Sequence, residues 1–286
     1  MKKGNNFKPD IVSNLDIHVV NSCNLRCHGC NHLANYGYDG LFTENELVDW
    51  IHPWKKRLQF KRISLLGGEP LLNPRLKSIC VAYRQLFPPE ETKLRITTNG
   101  ILIQKCPWLK ELIQDYHIHV QVSLHVLNGK KKYPKLIQAV RQGLELIEKW
   151  AGEAPAMAES RWGAAVDSKR KLNFQVFYQG AGRQIKPFKH DNIVESKKHC
   201  TCETLQLYRY KLYKCAPVAY LGEALRTIGA EKDPDWQPYL NYQPLAPDCA
   251  DNDLRCFMKK QPQAEWTCKM CPPYANVILS DQRELF

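Results

Sequence analysis

The sequence lacks the features of several protein classes. No run approaches the roughly 20 apolar residues that a membrane span needs, and the amino-terminal Met-Lys-Lys-Gly-Asn-Asn-Phe has no apolar stretch of the kind found in signal peptides. We find no internal repeat and no Gly-rich phosphate loop followed by Lys-Ser or Lys-Thr. We therefore expect a cytoplasmic protein that has no membrane partner.

Acidic residues are in deficit, since 29 Asp and Glu oppose 41 Lys and Arg for a formal net charge of +12. Hydrophobic residues make up 44% of the 286 residues, which is enough for a buried core and excludes a disordered or low-complexity chain. The length fits either one large α/β domain or one domain with a small appendage. Cysteine is abundant, with 12 residues, and in a reducing compartment this number indicates metal binding rather than disulfides.

Strand-like apolar runs alternate with helix-like stretches, which predicts βα units and an α/β fold with a mainly parallel sheet. Strands are predicted at residues 15–20, 62–66, 94–98, 117–124 and 172–178. Helices are predicted at 44–58, 74–87, 108–115, 133–150 and 217–227, and a hairpin at 205–213. After about Asp191 the chain becomes rich in cysteine and loses its periodicity. This change predicts a domain at 1–191, with an exposed insertion at 151–171, and a second domain at 192–286.

Three cysteines follow the first predicted strand directly, in Cys23-Asn24-Leu25-Arg26-Cys27-His28-Gly29-Cys30. Three thiolates on one short loop can ligate three irons of a [4Fe-4S] cluster and leave the fourth iron open for reaction. The alternatives are a zinc loop with a fourth ligand from His28 or His32, or simple buried cysteines, although zinc loops more often use paired Cys-x-x-Cys units. The spacing alone leaves both metals open.

Further polar motifs follow the next three predicted strands. Gly67-Gly68-Glu69-Pro70 and Thr97-Thr98-Asn99-Gly100 follow the second and third strands, and Ser123 lies at the end of the fourth. The carboxyl ends of parallel strands meet at one edge of a sheet, where ligands bind. Glycines allow a close approach of the backbone to a ligand, and Glu69 could hold a cationic amine.

In this ordered set of motifs the sequence resembles the radical S-adenosylmethionine (SAM) superfamily over roughly residues 15–180. The resemblance implies a partial (β/α)6 TIM-like barrel in which Cys23, Cys27 and Cys30 hold the cluster. SAM would chelate the open iron, and its reductive cleavage would give methionine and a 5'-deoxyadenosyl radical. By the same resemblance six residues would bind SAM: Gly67, Gly68, Glu69, Thr98, Asn99 and Ser123.

The chain departs from the family at one position of the cysteine loop. The family usually places an aromatic residue just before the third cysteine, where this chain has Gly29. The resemblance therefore requires another contact for the adenine ring, and His32 or Tyr36 could provide it.

Seven cysteines follow residue 199, and two of them form the pair Cys268-Lys269-Met270-Cys271. Four thiolates from a hairpin and a distant Cys-x-x-Cys can build a closed metal site. This layout resembles the twitch appendage of SAM radical enzymes over about residues 200–274, which implies a small cysteine-rich domain with a second [4Fe-4S] cluster. The expected ligands are Cys202, Cys215, Cys268 and Cys271, with Cys200 as the competitor of Cys202. A structural zinc ribbon is the alternative.

Two further residues are candidates for catalysis. Cys249 follows Pro247 in a predicted loop, and its thiol could donate a hydrogen atom to a substrate radical. His125 is expected at the carboxyl end of the fourth strand, where it could act as an acid or base, or be a hydrogen-bonded structural histidine.

Positive charge points to an anionic substrate. Two clusters would lower the net charge from +12 to about +9. The basic run Lys130-Lys131-Lys132 follows the fourth predicted strand at the catalytic edge and could attract a polyanion such as DNA or RNA. Basic runs elsewhere are most simply solvated surfaces.

These observations together predict a radical SAM enzyme that abstracts a hydrogen atom from a phosphate-bearing substrate, such as a nucleotide in DNA or RNA, for isomerisation, rearrangement or epimerisation. An electron donor such as flavodoxin or ferredoxin would be required. The alternatives are a sugar epimerase or a peptide maturase of the same superfamily. Only 14 residues precede the first predicted strand, and this number is too small for the peptide-binding extension of many maturases. A non-catalytic zinc or nucleic-acid-binding protein is the competing class.

Overall fold

The structure is a computed structural model that describes residues 10–123, 133–152, 158–160, 173–200 and 204–279. Its strands are β1 (Asp10–Val12), β2 (Leu15–Val20), β3 (Leu58–Phe60), β4 (Arg62–Gly67), β5 (Lys93–Thr98), β6 (His119–Val122), β7 (Ala158–Ser160), β8 (Asn173–Gln175), β9 (Leu205–Tyr208), β10 (Lys211–Tyr213) and β11 (Val277–Leu279). Its helices are α1 (Glu44–Lys55), α2 (Leu76–Leu86), α3 (Leu109–Gln114), α4 (Pro134–Ala151), α5 (Ile193–Lys198), α6 (Ala216–Ile228), α7 (Gln237–Leu240) and α8 (Asp251–Lys260). Within these residues no helix has the length and apolar character to cross a membrane.

One seven-stranded sheet organises the fold, in the order β10-β9-β2-β4-β5-β6-β7. Every neighbouring pair is parallel except β10 and β9, which form an antiparallel hairpin. The predicted α/β fold with a mainly parallel sheet is therefore confirmed, in the open form of a partial TIM-like barrel. The described strands do not close into a barrel.

The strand and helix signals in the sequence have identifiable causes in the structure. Strand β2 matches its prediction at both ends, and all six of its residues are buried. Helix α1 begins at a capping box, in which the Thr43 hydroxyl accepts from the Glu46 amide and the Glu46 carboxylate accepts from the Thr43 amide at 2.8 Å. The local signals therefore place β2 and the start of α1 correctly, whereas α1 ends at Lys55, earlier than the predicted residue 58.

The cysteine-rich segment after residue 191 contributes two strands to the main sheet. Strand β9 pairs with β2 in parallel, so Leu15, Asp16 and Ile17 face Leu205, Gln206 and Leu207. Helix α6 then packs against β9 and β10. The two predicted domains share one sheet, and the boundary near Asp191 stays a prediction.

The prediction for residues 151–178 is wrong in its strand order. Strand β8, predicted as the fifth strand of the sheet, pairs antiparallel with β11 in a separate two-stranded ribbon. The place beside β6 is taken by β7, which lies inside the segment predicted as an exposed insertion. Both strands have only three residues, so their local sequence does not determine which partner they pair with.

A buried arginine joins α2 to the loops at the amino ends of β5 and β6. Arg84 is 9% exposed, and the pKa of its guanidinium is lowered by burial. Its three nitrogens donate hydrogen bonds of 2.8 to 3.1 Å to the backbone carbonyl oxygens of Tyr116, Phe87, Thr92 and His117. His117 has a φ of 50°, so it lies in a turn and the predicted strand begins two residues later than expected.

Replacing Arg84 by Met should lower the free energy of unfolding by about 3 kcal/mol or more, because several buried carbonyl oxygens lose their donor. Urea unfolding of the purified protein measures this change. Arg75→Met is the control, since Arg75 forms an exposed ion pair with Glu44 and its loss should cost less than about 1 kcal/mol. Equal effects of the two substitutions would contradict the assigned role of Arg84.

Candidate active site

The cysteine loop begins where β2 ends and carries three thiols at the carboxyl edge of the sheet. Cys27 is buried, whereas Cys23 and Cys30 are partly exposed. The loop turns on itself through hydrogen bonds from the Cys30 amide to the Cys27 carbonyl oxygen at 3.2 Å and from the Leu33 amide to the Cys30 carbonyl oxygen at 3.1 Å. Backbone hydrogen bonds therefore form two consecutive turns of the loop, one from Cys27 to Cys30 and one from Cys30 to Leu33.

The electrostatic environment of these thiols favours a cationic partner. Burial raises the pKa of the Cys23 thiol, and negative charge on Cys30, Glu69 and Cys27 raises it further. A bound metal would compensate the charge of the thiolates. Three thiolates on one loop are the donor set that iron-sulfur clusters use, so these residues fit such a cluster. In the described part of the chain no group of three or more His, Cys, Asp and Glu is arranged to hold a single metal ion.

The two glycines at the end of β4 allow its backbone to contact the backbone that leads into the cysteine loop. A Cβ at Gly67 would lie 1.9 Å from the Val20 carbonyl oxygen, and a Cβ at Gly68 would lie 2.2 Å from that of Ser22. The Gly68 amide donates to the Val20 carbonyl oxygen at 3.0 Å. The close approach that these glycines permit is to the protein's own backbone, and their predicted contact with SAM stays a prediction.

Glu69 is completely buried, and its carboxylate joins the end of β4 to the end of β5. It accepts hydrogen bonds from the Thr98 hydroxyl at 2.6 Å, the Asn99 amide at 2.8 Å and the Leu71 amide at 3.1 Å. Burial raises its pKa to about 7, although these three hydrogen bonds act in the opposite direction. Both carboxylate oxygens are thus already hydrogen-bonded to the protein, and the group holds the ends of β4 and β5 in position.

Asn99 extends this connection to the cysteine loop. Its side-chain Nδ2 donates to the Asn24 Oδ1 at 2.7 Å, and Asn24 lies directly after Cys23. The amide of Ser123 donates to the Thr98 carbonyl oxygen at 2.8 Å, which brings the end of β6 to the same place. The motifs at the ends of four strands are therefore held together by one continuous set of hydrogen bonds.

The backbone conformation of Gly29 and its close neighbour Val176 disfavour a side chain at this position. Its φ is 72°, and a Cβ would lie 2.8 Å from the Val176 Cγ2. The Gly29 amide donates to the Tyr178 hydroxyl at 3.2 Å, and the Tyr178 ring lies 6.3 Å from that of Tyr36. Tyr178 and Tyr36 thus lie on the side of the loop next to Gly29, the position at which the resemblance predicts an aromatic residue.

A buried histidine links the cysteine loop to the C-terminal segment. The His18 Nδ1 donates to the Asn21 Oδ1 at 3.0 Å, and burial lowers the pKa of His18, so its ring is neutral. Its Nε2 therefore accepts from the His32 Nδ1 at 2.8 Å. The His18 ring also stacks on Tyr220 of α6, with centroids 3.8 Å apart and an interplanar angle of 13°. The Nδ1 atom of His32 is therefore the ring nitrogen that is hydrogen-bonded to His18.

The structure brings four C-terminal cysteines into one electrostatic group. Burial raises the pKa of the Cys215 thiol to about 12, and charge on Cys200 and Cys268 raises it further. Burial likewise raises the pKa of Cys271, followed by charge on Cys215, Cys200 and Cys268. Cys202 lies outside the described residues. Cys200, the competitor in the sequence prediction, is therefore among the described thiols of this group.

Of the two predicted catalytic residues the structure describes Cys249, which lies away from the cysteine loop. Cys249 lies beside Arg57, whose Nη1 donates to its Sγ at 3.3 Å. Arg57 follows α1 and precedes β4, so Cys249 lies at the amino end of the sheet, opposite the cysteine loop. His125 lies outside the described residues, as does the Lys130-Lys131-Lys132 run.

Sequence reasoning missed Asn24, His18 and Tyr178 as parts of this site. His18 had a detectable signal, since Asp16 and His18 are polar residues at alternate positions of an otherwise apolar strand. Asn24 and Tyr178 had none, because their partners are 75 and 149 residues away in the sequence.

The central strands of the parallel sheet and the three-thiol loop at its carboxyl edge lie in the part of the chain that matches a known family. Residues 17–151 match the family model of the radical SAM superfamily. This part of the chain, slightly less than half of it, is thus similar to the radical SAM superfamily. The match does not extend to the C-terminal cysteines.

Similar curated proteins share one named activity. The chain is 33% identical over 121 residues to the probable GTP 3',8-cyclase of Archaeoglobus fulgidus, which covers 42% of this chain and 38% of that protein. It is 30% identical over 139 residues to the probable GTP 3',8-cyclase of Methanocaldococcus jannaschii, which covers 47% and 45%. The chain thus spans less than half the length of these relatives.

Among solved structures, SuiB of Streptococcus suis is similar at 15% identity and a TM-score of 0.41, over 82% of this chain and 69% of that protein.

The buried Glu69 carboxyl should make the stability of the metal-free protein depend on pH. Because its folded pKa of about 7 lies above the ordinary value of 4.5, the folded protein binds an extra proton between these pH values. Its contribution is full below pH 4.5 and is lost as the pH rises through 7. Urea unfolding should therefore show a free energy of unfolding that falls by up to about 3 kcal/mol over this window.

Glu69→Gln removes this titration and should flatten the decline between the two pH values. Glu145→Gln, on the exposed face of α4, is the control that should keep the wild-type decline. An identical pH profile in the wild type and Glu69→Gln would rule out Glu69 as the source.

Proposed function

We propose that this protein is a radical SAM enzyme whose [4Fe-4S] cluster is bound by Cys23, Cys27 and Cys30. One observation carries the proposal: the loop of these three thiols is fixed at the carboxyl edge of the sheet by the hydrogen bond between Asn24 and Asn99. When bound, the cluster supplies the electron for the reductive cleavage of SAM. The protein's own residues hold the loop, limit water access and position SAM.

Glu69 acts in this proposal as a positioning residue. Its two oxygens accept from Thr98, Asn99 and Leu71, so it fixes the ends of β4 and β5 relative to each other. The predicted SAM contacts of Gly67, Gly68, Thr98, Asn99 and Ser123 belong to the same edge. The Thr98 hydroxyl donates its hydrogen bond to Glu69, so the first role of Thr98 is to stabilise the structure of this edge.

We further propose a second [4Fe-4S] cluster in the C-terminal segment, held by Cys200, Cys215, Cys268 and Cys271. The mutual electrostatic influence of these four thiols supports this set. Cys200 thereby replaces Cys202, which the sequence alone favours as the fourth ligand. Hydrogen-atom donation by Cys249 receives no support, because Cys249 lies at the other end of the sheet.

The proposed substrate is a phosphate-bearing nucleotide from which a hydrogen atom is abstracted for a rearrangement. The activity named for the similar curated proteins, GTP 3',8-cyclase, supports a nucleotide. A nucleotide within DNA or RNA belongs to the same proposal, and a flavodoxin or ferredoxin in the cytoplasm would supply the electron. Sugar epimerisation and peptide maturation are the alternatives.

Cys27→Ala should abolish the N-terminal cluster because it removes one of three thiolates. Anaerobic reconstitution should give about eight irons per wild-type chain and about four in the variant, with loss of 5'-deoxyadenosine production. Cys256→Ala, on exposed α8, is the matched control and should retain iron and activity. Full 5'-deoxyadenosine production by Cys27→Ala, or zinc without iron in the wild type, would refute the proposal.

The choice between Cys200 and Cys202 is tested by two alanine variants. Cys200→Ala should lower iron from about eight to about four per chain, whereas Cys202→Ala should leave it at about eight. Electron paramagnetic resonance of the reduced proteins identifies which cluster signal is lost. Loss of the second signal in Cys202→Ala but not in Cys200→Ala would assign the ligand to Cys202.

A further inference from the structure

The four thiols of the C-terminal site lie on three chain segments that are distant in the sequence. Cys200 follows α5, and Cys215 directly precedes α6. Cys268 lies within the short 3-10 helix Trp266–Met270, and Cys271 directly follows it. A metal site keeps its geometry only when outer side chains orient the segments that carry its ligands. The side chains that connect these segments are therefore part of the site.

The first connection joins the Cys200 segment to Cys271. The Ser196 hydroxyl of α5 donates to the Cys271 carbonyl oxygen at 3.0 Å, and the His190 Nε2 donates to the same oxygen at 2.6 Å. The Cys200 amide donates to the Lys197 carbonyl oxygen at 3.1 Å, so Cys200 is held at the end of the same helix. Two of the three segments are thereby fixed to each other through α5.

The second connection is an ion pair between the Cys215 segment and the Cys268 segment. Lys214 directly precedes Cys215, and its Nζ lies 3.0 Å from the Glu265 Oε1. The Glu265 carbonyl oxygen accepts from the Cys268 amide at 2.8 Å. The Lys214 Nζ also donates to the Gln263 carbonyl oxygen at 2.7 Å. One side chain therefore attaches the end of β10 to the chain that leads into the Cys-x-x-Cys pair.

Lys214 is unusual because its charge is buried. The residue is 4% exposed, and among the residues that the structure describes it is the one buried lysine. Removing an ammonium group from water costs free energy unless the group is paired and hydrogen-bonded. The side chain of its partner Glu265 is 27% exposed, so water reaches the carboxylate more readily than the ammonium group. The positive charge of the pair is therefore screened less than the negative charge.

The charge of Lys214 acts on thiols of two segments. Burial raises the pKa of the Cys215 thiol and of the Cys271 thiol, and the positive charge of Lys214 opposes this increase at both. Lys269 lies within the Cys-x-x-Cys pair itself, but its ammonium group pairs with the exposed Asp191 at the surface. Sequence position alone thus does not bring a charge to the site, whereas burial beside Cys215 does.

We infer that Lys214 is a positioning residue of the C-terminal site: with Glu265 it holds the Cys215 and Cys268 segments together, and its buried charge favours the reduced form of the metal centre. This inference rests on the proposed second [4Fe-4S] cluster and goes beyond the ligands proposed for it.

The reduction step explains the direction of the charge effect. One electron enters the site from a reduced carrier of the flavodoxin or ferredoxin class, which is itself oxidised by one electron. No bond breaks and no proton moves, so the site gains one negative charge. A fixed positive charge nearby stabilises that form, and its removal should lower the midpoint potential.

Potentiometric titration of the anaerobically reconstituted protein, followed by electron paramagnetic resonance, tests this role. The signal of the C-terminal cluster is the one that remains in Cys27→Ala. Lys214→Met keeps the length of the side chain and removes its charge. At a fixed potential the ratio of reduced to oxidised cluster should fall about tenfold or more, which is about 59 mV in midpoint potential. Glu265→Gln removes the opposing charge and should raise the ratio about threefold, a smaller effect because the carboxylate is partly exposed.

Lys269→Met is the matched control. It should change the ratio by less than about twofold, because the pair with Asp191 is exposed and screened by water and salt. Opposite shifts in Lys214→Met and Glu265→Gln support the charge effect, since loss of a purely structural ion pair would act alike in both variants. Potentials that equal the wild-type value in both variants, or that move in the same direction, overturn it.

Iron content separates this inference from the proposed function. Wild-type protein with about eight irons and SAM cleavage, but with unshifted potentials in the variants, overturns the role of Lys214 and leaves the proposed enzyme intact. A fall to about four irons in Lys214→Met supports the connection between the segments, and Glu265→Gln then decides the charge effect. A potential of Glu265→Gln at or below the wild-type value overturns that effect. Wild-type protein that holds zinc in place of the second cluster refutes the cluster and this inference together.

Discussion

The buried carboxylate of Glu69 is the constraint on which the site depends. It has no exposed surface, and it satisfies donors at the ends of two strands, the Thr98 hydroxyl and the Asn99 amide. Asn99 in turn holds Asn24 in the cysteine loop. A buried carboxylate without these donors would be costly, so the three segments are stable only when they are assembled. The position of the thiol loop is thereby set by residues that are not proposed as ligands of the cluster.

A second set of contacts joins the cysteine loop to the C-terminal segment. Cys215 precedes α6, and Tyr220 of that helix stacks on His18, which is hydrogen-bonded to His32. His32 lies two residues after Cys30. Strand β9 completes this connection by pairing with β2. Through α6 and β9, the C-terminal segment is therefore packed against the same sheet that presents the first three cysteines.

The distribution of polarity over the sheet explains how one scaffold can serve both stability and chemistry. The apolar face holds the core together, and the hydrogen bonds at the carboxyl edge order the loops. The polar face contributes less to stability, since Arg95 and His119 remain partly exposed there.

Local signals in the amino-acid sequence were sufficient to predict the limits of β2, the capping box of α1, the cysteine loop and the motifs that end β4 and β5. Long-range packing was needed to establish which short strand lies beside β6, that charge on Cys200 raises the pKa of the Cys215 thiol, and that Cys249 lies far from the cysteine loop. It was also needed to show that Gly67 and Gly68 contact backbone rather than open space. The physical reason is that periodicity and spacing report energies within a few residues, whereas strand pairing, burial and charge coupling depend on partners distant in the chain.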